Sequence, residues 1–218
     1  MKMPIVFIKA IETVFFDEFL EGNIFMNTFS FFRELECTNT ETGDKSEGML
    51  SYFAKDILDC AEITVNGKIT NSHIKDISLN QSFGNILCLY SIDKEKDEIS
   101  EEYLKKFEKC KMCIINPIPF LSRLETKLNE NGYTMEHRKV EYFSEDESQL
   151  SFQRPFRKRN KYSYQNEYRV MVSNTKNEPI RISIGSLKDI AFEVDFNSFP
   201  KDGSLNINFE TKQISFHK

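Results

Sequence analysis

Gln165, Glu167 and Arg169 stand two residues apart and lead into the apolar run Val170-Met171-Val172. Side chains at every second position of an extended chain leave one face, so the three would project together from the mouth of a strand. A carboxylate held there beside a guanidinium is either a structural ion pair or a fixed polar tool. A fixed carboxylate stabilises positive charge that develops during a reaction. The preceding segment, 156–164, carries Arg157, Lys158, Arg159 and Lys161 interleaved with Phe156, Tyr162 and Tyr164. Cations beside aromatic rings suit a phosphate next to a stacked base. The plainer alternative is a basic surface loop whose rings cover the sheet, with Glu167 and Arg169 paired to each other.

A second polar cluster spans 33–52 and holds Arg33, Glu34, Glu36, Asp44, Lys45, Glu47 and Tyr52. Arg33 follows Phe31-Phe32 at the edge of an apolar patch, where a guanidinium meets an anion or a buried carboxylate. Gly43 and Gly48 bracket a charged turn that can bring backbone amides close to a ligand. Solvated loop side chains account for Glu34, Glu41 and Lys45. Arg33 and Glu47 are read as ligand-facing with equal weight given to local pairing.

Other chemistries lack their residues. His73, His137 and His217 lie in polar contexts without a nucleophile elbow, and there is no Walker loop, dinucleotide glycine fingerprint or His cluster. Asp44 and Glu47 could meet a divalent ion with Glu167, but their spacing specifies none, so no metal site is assigned. Cys110-x-x-Cys113 has no second ligand pair to complete a zinc site. The five cysteines are odd in number and lack framework spacing, which points to reduced thiols. A net charge of -5 with dispersed signs gives no broad basic field, so nonspecific nucleic-acid binding is not expected. With no apolar run of membrane length and no signal-peptide pattern, the expected location is the cytoplasm, without a membrane partner.

The elements that must position these groups read as one α+β domain over 1–218. A mixed, largely antiparallel sheet is flanked by a few helices. The 218 residues, 39% of them hydrophobic and rich in Phe, are enough for a real core. A strand is expected at 4–8, a helix at 9–21 stopped by Gly22-Asn23, a strand at 24–27 and one or two helical turns at 29–36. Asn66-Gly67 marks a hairpin between 63–65 and 68–70. Further strands are expected at 86–92, 112–115 and 133–143. Helices are expected at 100–110, with Ser100 as N-cap, and at 117–131, ended by Gly132. Most of the final third reads as strand.

Most of the chain resembles a family of uncharacterised bacterial and phage-associated proteins. The resemblance lies in 19–27, Phe32-Arg33-Glu34-Leu35-Glu36, 43–48, Leu87-Cys88-Leu89-Tyr90-Ser91, Val140-Glu141-Tyr142 and 164–169. It implies that the charged blocks meet in space and carries no activity with it. Locally, Gln165-x-Glu167 before a strand resembles the catalytic-loop motif of the arginine-serine-glutamate class of ADP-ribosyltransferases. That resemblance implies NAD as cofactor, Glu167 as the catalytic carboxylate and Gln165 facing the acceptor. It implies that Arg33, on an early strand edge, holds phosphates, with Lys158 or Lys161 assisting. The class's middle-strand Ser-Thr-Ser has only Ser51 or Ser91 as stand-ins. Three functions follow: an NAD-dependent transferase in phage–host conflict, a non-catalytic module, or a partner-binding inhibitor that uses the acidic faces around 144–148 and 93–102. The module would capture a nucleotide, a signalling molecule or a protein partner through Arg33, Arg169, Tyr164 and the neighbouring cations.

Overall fold

Two runs with apolar side chains on both faces, Asn85–Ile92 and Glu167–Val172, pair antiparallel from Asn85↔Val172 to Tyr90↔Glu167. The computed structural model describes residues 3–35, 49–53, 63–65, 68–70, 77–81, 84–94, 99–144, 149–150, 154–195 and 204–217. In chain order the strands are β1 (Val6–Glu12), β2 (Asn23–Thr28), β3 (Met49–Phe53), β4 (Ile63–Val65), β5 (Lys68–Thr70), β6 (Ile77–Gln81) and β7 (Asn85–Ile92). They continue as β8 (Cys110–Ile115), β9 (Met135–Lys139), β10 (Glu141–Phe143), β11 (Gln149–Leu150), β12 (Arg157–Arg159) and β13 (Glu167–Val172). The last four are β14 (Ile180–Ser183), β15 (Ala191–Val194), β16 (Ser204–Asn208) and β17 (Gln213–His217). With the helices Phe16–Leu20, Phe29–Leu35, Glu101–Lys106 and Pro117–Glu130, they form the expected α+β fold.

The chain divides into two compact units, one made of Met1–Thr28, Gly84–Val140 and Tyr164–Lys218, the other of Phe29–Phe83 and Glu141–Ser163. The first unit holds the eight-stranded sheet, whose pairings are all antiparallel. One edge of β7 takes β13, and β13 takes β9. The other edge forks: Tyr90–Ile92 pair with β1, while Asn85 and Ile86 pair with β2. One branch continues through β8 to β15, the other to β14. Cys88 lies in the gap of the fork, and its carbonyl accepts Lys9 Nζ at 2.9 Å.

Helix Pro117–Glu130 starts with Pro at its first turn and buries Phe120, Leu121, Leu124 and Leu128, an i, i+1, i+4, i+8 stripe against one sheet face. That face supplies Phe7, Leu87, Leu89, Tyr168, Val170 and Val172. The opposite face supplies Ile8, Tyr90, Ile92, Met112 and Ile114, packed with Tyr103 from the short helix. Ser100 caps that helix, its hydroxyl accepting Tyr103 N–H at 3.4 Å.

The expected helix at 9–21 begins later. Strand β1 runs to Glu12 in register with β8, and a 3-10 turn at Thr13–Phe15 precedes the helix Phe16–Leu20. Six cross-strand pairs from Phe7↔Ile115 to Glu12↔Cys110 outweigh the local helical spacing. The expected strand at 133–143 divides at Val140 into β9 and β10. The hairpin is found, with Val65↔Lys68 closing it; Asn66 and Gly67 lie outside the described residues. In the second unit β10 and β12 pair in parallel, with Glu141↔Arg157, Tyr142↔Lys158 and Phe143↔Arg159, and β3 pairs with β6 and β11.

Gly22 has φ 87° and passes so near Gly185 that a Cβ would stand 1.9 Å from its carbonyl oxygen. Only glycine fits both the left-handed backbone and this approach. The same contact lets Ile184 N–H donate to the Gly22 carbonyl at 2.9 Å.

Candidate functional site

The start of β13 is fastened before any charged group is placed. Asn166 adopts φ 36°, a left-handed conformation that Asn tolerates better than most residues. Its side-chain amide donates to the Ser91 carbonyl at 2.6 Å. In return its own carbonyl accepts the Ser91 N–H at 2.9 Å and hydroxyl at 3.1 Å. Three bonds to one β7 residue fix where the strand begins.

Glu167 and Arg169 then leave the strand on one face, as alternation requires, and Arg169 Nε donates to Glu167 Oε1 at 2.7 Å. Both are sealed, with 2% of Glu167 and none of Arg169 exposed. Glu167 stands opposite Tyr90, and Arg169 lies between Cys88 and Arg138 in register. Tyr90 is braced by Tyr103, ring centroids 4.5 Å apart, and its hydroxyl accepts Ser100 N–H at 3.0 Å. Lys9, half-buried at the fork, has its pKa lowered: burial disfavours the ammonium more than the nearby Cys88 and Glu167 favour it.

Gln165 does not extend this row. It ends the 3-10 segment Asn160–Gln165, and its amide donates to the Tyr164 hydroxyl at 3.1 Å. The left-handed turn at Asn166 breaks the two-residue alternation that would have aligned Gln165 with Glu167. Tyr164 is half-buried, with Lys106 Nζ 4.8 Å above its ring.

Arg33, Lys158 and Lys161 belong to the second unit. Arg33 occupies the last turn of helix Phe29–Leu35, where helical turns were expected, and not the strand edge that the transferase resemblance implies. Lys158, 4% exposed, and Lys161, exposed, both place Nζ over the Tyr162 ring, at 4.9 and 4.6 Å. Arg157 covers Phe143 at 5.3 Å, with Nε 3.7 Å from Glu141 Oε2 and no hydrogen bond of its own. The rings of Phe156 and Tyr162 are buried. They are spent on packing and on these cations, so neither offers the open face that base stacking needs. Glu47 lies outside the described residues.

Sequence reasoning missed Lys9 and set His137 aside. Lys9 was hidden inside the expected helix. His137 lies on β9 beside an open groove of about 340 Å³ lined by Glu125 and Met135–Arg138. Its Nδ1 stands 2.7 Å from the Tyr168 hydroxyl, which donates to Met3 Sδ at 3.9 Å. Burial lowers the His137 pKa against the opposing pull of Glu125, and burial raises that of Tyr168 to about 12. Alternation over 135–139 was the available signal for His137.

Among the described residues no three His, Cys, Asp or Glu side chains come together to hold a metal ion. Cys110 and Cys113 both lie on β8, where a spacing of three sends them to opposite faces. Burial pushes the Cys113 thiol up to about 12, which leaves it unreactive. No described helix is long and apolar enough to cross a membrane. Compared with known proteins, the chain matches no family model, no curated protein and no solved structure.

Removing one partner of a buried ion pair strands the other charge. Glu167→Gln should lower the unfolding free energy in urea by about 3 kcal/mol. Replacing both residues, Glu167→Gln with Arg169→Met, should recover most of that loss; a double variant as weak as the single one contradicts the pair's role. For His137 the folded pKa lies below its ordinary 6.5, so the unfolded chain binds the extra proton first. Its contribution to stability is full above that value and falls as pH drops through it. Urea midpoints between about pH 5 and 8 should decline on the acid side, and His137→Gln should flatten that decline.

Proposed function

We propose that the chain is a non-catalytic binding module that captures a phosphate-bearing ligand on the cationic segment 157–161 of its second unit. The observation that carries this reading is the gathering of Lys158 and Lys161 on one buried Tyr162 ring, with Arg157 and Arg159 flanking Lys158 on β12. Positive charge is concentrated there, and the ring that orients it is already covered. Recognition on such a surface is of phosphate charge and of its spacing, not of a base. A nucleotide or nucleotide-derived signal is the ligand class, bound through its phosphates, and the cytoplasm is where such ligands are abundant.

Calorimetry with ATP, GTP, tripolyphosphate and adenosine tests this. The three phosphate chains should bind alike, adenosine should not bind, and Lys161→Glu should weaken binding roughly tenfold or more. Adenosine binding as well as ATP, or no uptake of any phosphate chain, would sink the proposal.

A second reading keeps Glu167 and Gln165 as the working residues of an NAD-dependent ADP-ribosyltransferase acting in phage–host conflict. It is favoured by the immobility of Glu167, whose carboxylate is dehydrated and fixed by Arg169. A carboxylate of that kind stabilises an oxocarbenium-like charge by about 3 kcal/mol. Substrate reaches it only once the ion pair opens. Nicotinamide release from NAD should occur with the native chain and disappear in Glu167→Gln, with folding confirmed by circular dichroism. Equal turnover in both, or none in either, removes the enzyme.

A further inference from the structure

Strand β9 ends the sheet: among the described residues it pairs with β13 alone. The direction of its backbone groups follows from the register. Val140 N–H donates to the Glu167 carbonyl at 2.8 Å, and Ser173 N–H donates to the Thr134 carbonyl at 3.1 Å. In an antiparallel ladder such bonding recurs at every second residue, so Glu136 and Arg138 turn their N–H and C=O groups toward β13. Met135, His137 and Lys139 turn theirs away from the sheet. The groove lined by Met135–Arg138 and Glu125 lies alongside.

The order of charges along this edge is self-complementary. Glu136 and Arg138 flank His137 with opposite signs, project from one face and already pair within the strand at 3.4 Å. If two copies of β9 run antiparallel about His137, Glu136 of each falls opposite Arg138 of the other, and Met135 falls opposite Lys139. The parity agrees as well. His137 would exchange hydrogen bonds with its own copy, and Met135 with Lys139, using only the outward groups. Glu136 and Arg138 would then occupy the non-hydrogen-bonded pairs, where Cα atoms approach to about 4.5 Å and side chains meet best.

We propose that β9 is a homodimerisation edge, on which a second copy of this chain adds its own β9 antiparallel to extend the sheet across a two-fold axis. Charged edge strands ordinarily keep copies apart by setting like charges against each other. Here reversal brings unlike charges together, so the pattern recruits a copy. The interface is small, so a weak, concentration-dependent association is expected.

Sedimentation of the native chain over a concentration series should show a reversible dimer. Arg138→Glu sets like charges opposite each other at both symmetric pairs and should weaken the dimer roughly tenfold or more. Adding Glu136→Arg to that variant restores unlike pairs in reversed order and should restore the dimer. Circular dichroism confirms that each variant is folded. Hydrogen exchange supplies the second readout: amides of Met135, His137 and Lys139 should gain protection with concentration, while those of Glu136 and Arg138 stay protected throughout. A chain that stays monomeric at all concentrations, a dimer indifferent to Arg138→Glu, or a reversed pair that fails to rescue overturns the proposal.

Discussion

Strand β7 has two edges and three partners, and the architecture of the first unit follows from how it shares them. Along one edge β13 runs the full pairing length; along the other, β1 and β2 each take one end. A fork of this kind leaves a backbone carbonyl between its branches without a strand to bond, and an unpaired buried carbonyl is costly. Lys9 closes the gap at Cys88 with its ammonium. The branches can then diverge, one to β8 and β15, the other to β14, so a single strand organises two directions of sheet.

The same strand fixes the buried charges. Ser91 fastens Asn166 with backbone and side-chain bonds, Tyr90 stands across from Glu167, and Cys88 stands across from Arg169. A carboxylate and a guanidinium removed from water lose several kcal/mol of hydration each, which their attraction offsets only in good geometry. The 2.7 Å contact between Arg169 Nε and Glu167 Oε1 is of that quality. Its consequence for function is restrictive: the charge is rigid and neutralised by its neighbour, which suits an anchor and demands opening before it can serve as a tool.

In the second unit the balance between aromatic rings and cations runs the other way. Tyr162 and Phe143 are covered by Lys158, Lys161 and Arg157, so their faces are used within the protein. Cation–ring contacts gain stability when partly dehydrated, and they hold the ammonium groups in place, which under the proposed reading would lower the entropy lost on capturing an anion.

Local pattern alone was enough for the elements with a clear period or punctuation. The stripe of helix Pro117–Glu130, the Asn66-Gly67 hairpin, the Ser100 cap and the doubly apolar β7 and β13 are all legible, because each depends on neighbours within a few residues. The pairing of Glu167 with Arg169 was likewise open to a spacing argument, as one of two readings. What sequence could not decide was anything set by a partner distant in the chain. Lys9–Glu12 have helical spacing yet form strand because β8 lies beside them, and Gln165 leaves the row because Ser91, far away in sequence, holds Asn166 in a left-handed turn. Residue types and spacings thus determined which charges and rings this protein has to work with. Burial and long-range hydrogen bonding decided which of them are spent on structure, since desolvation depends on what packs around a group and not on what precedes it.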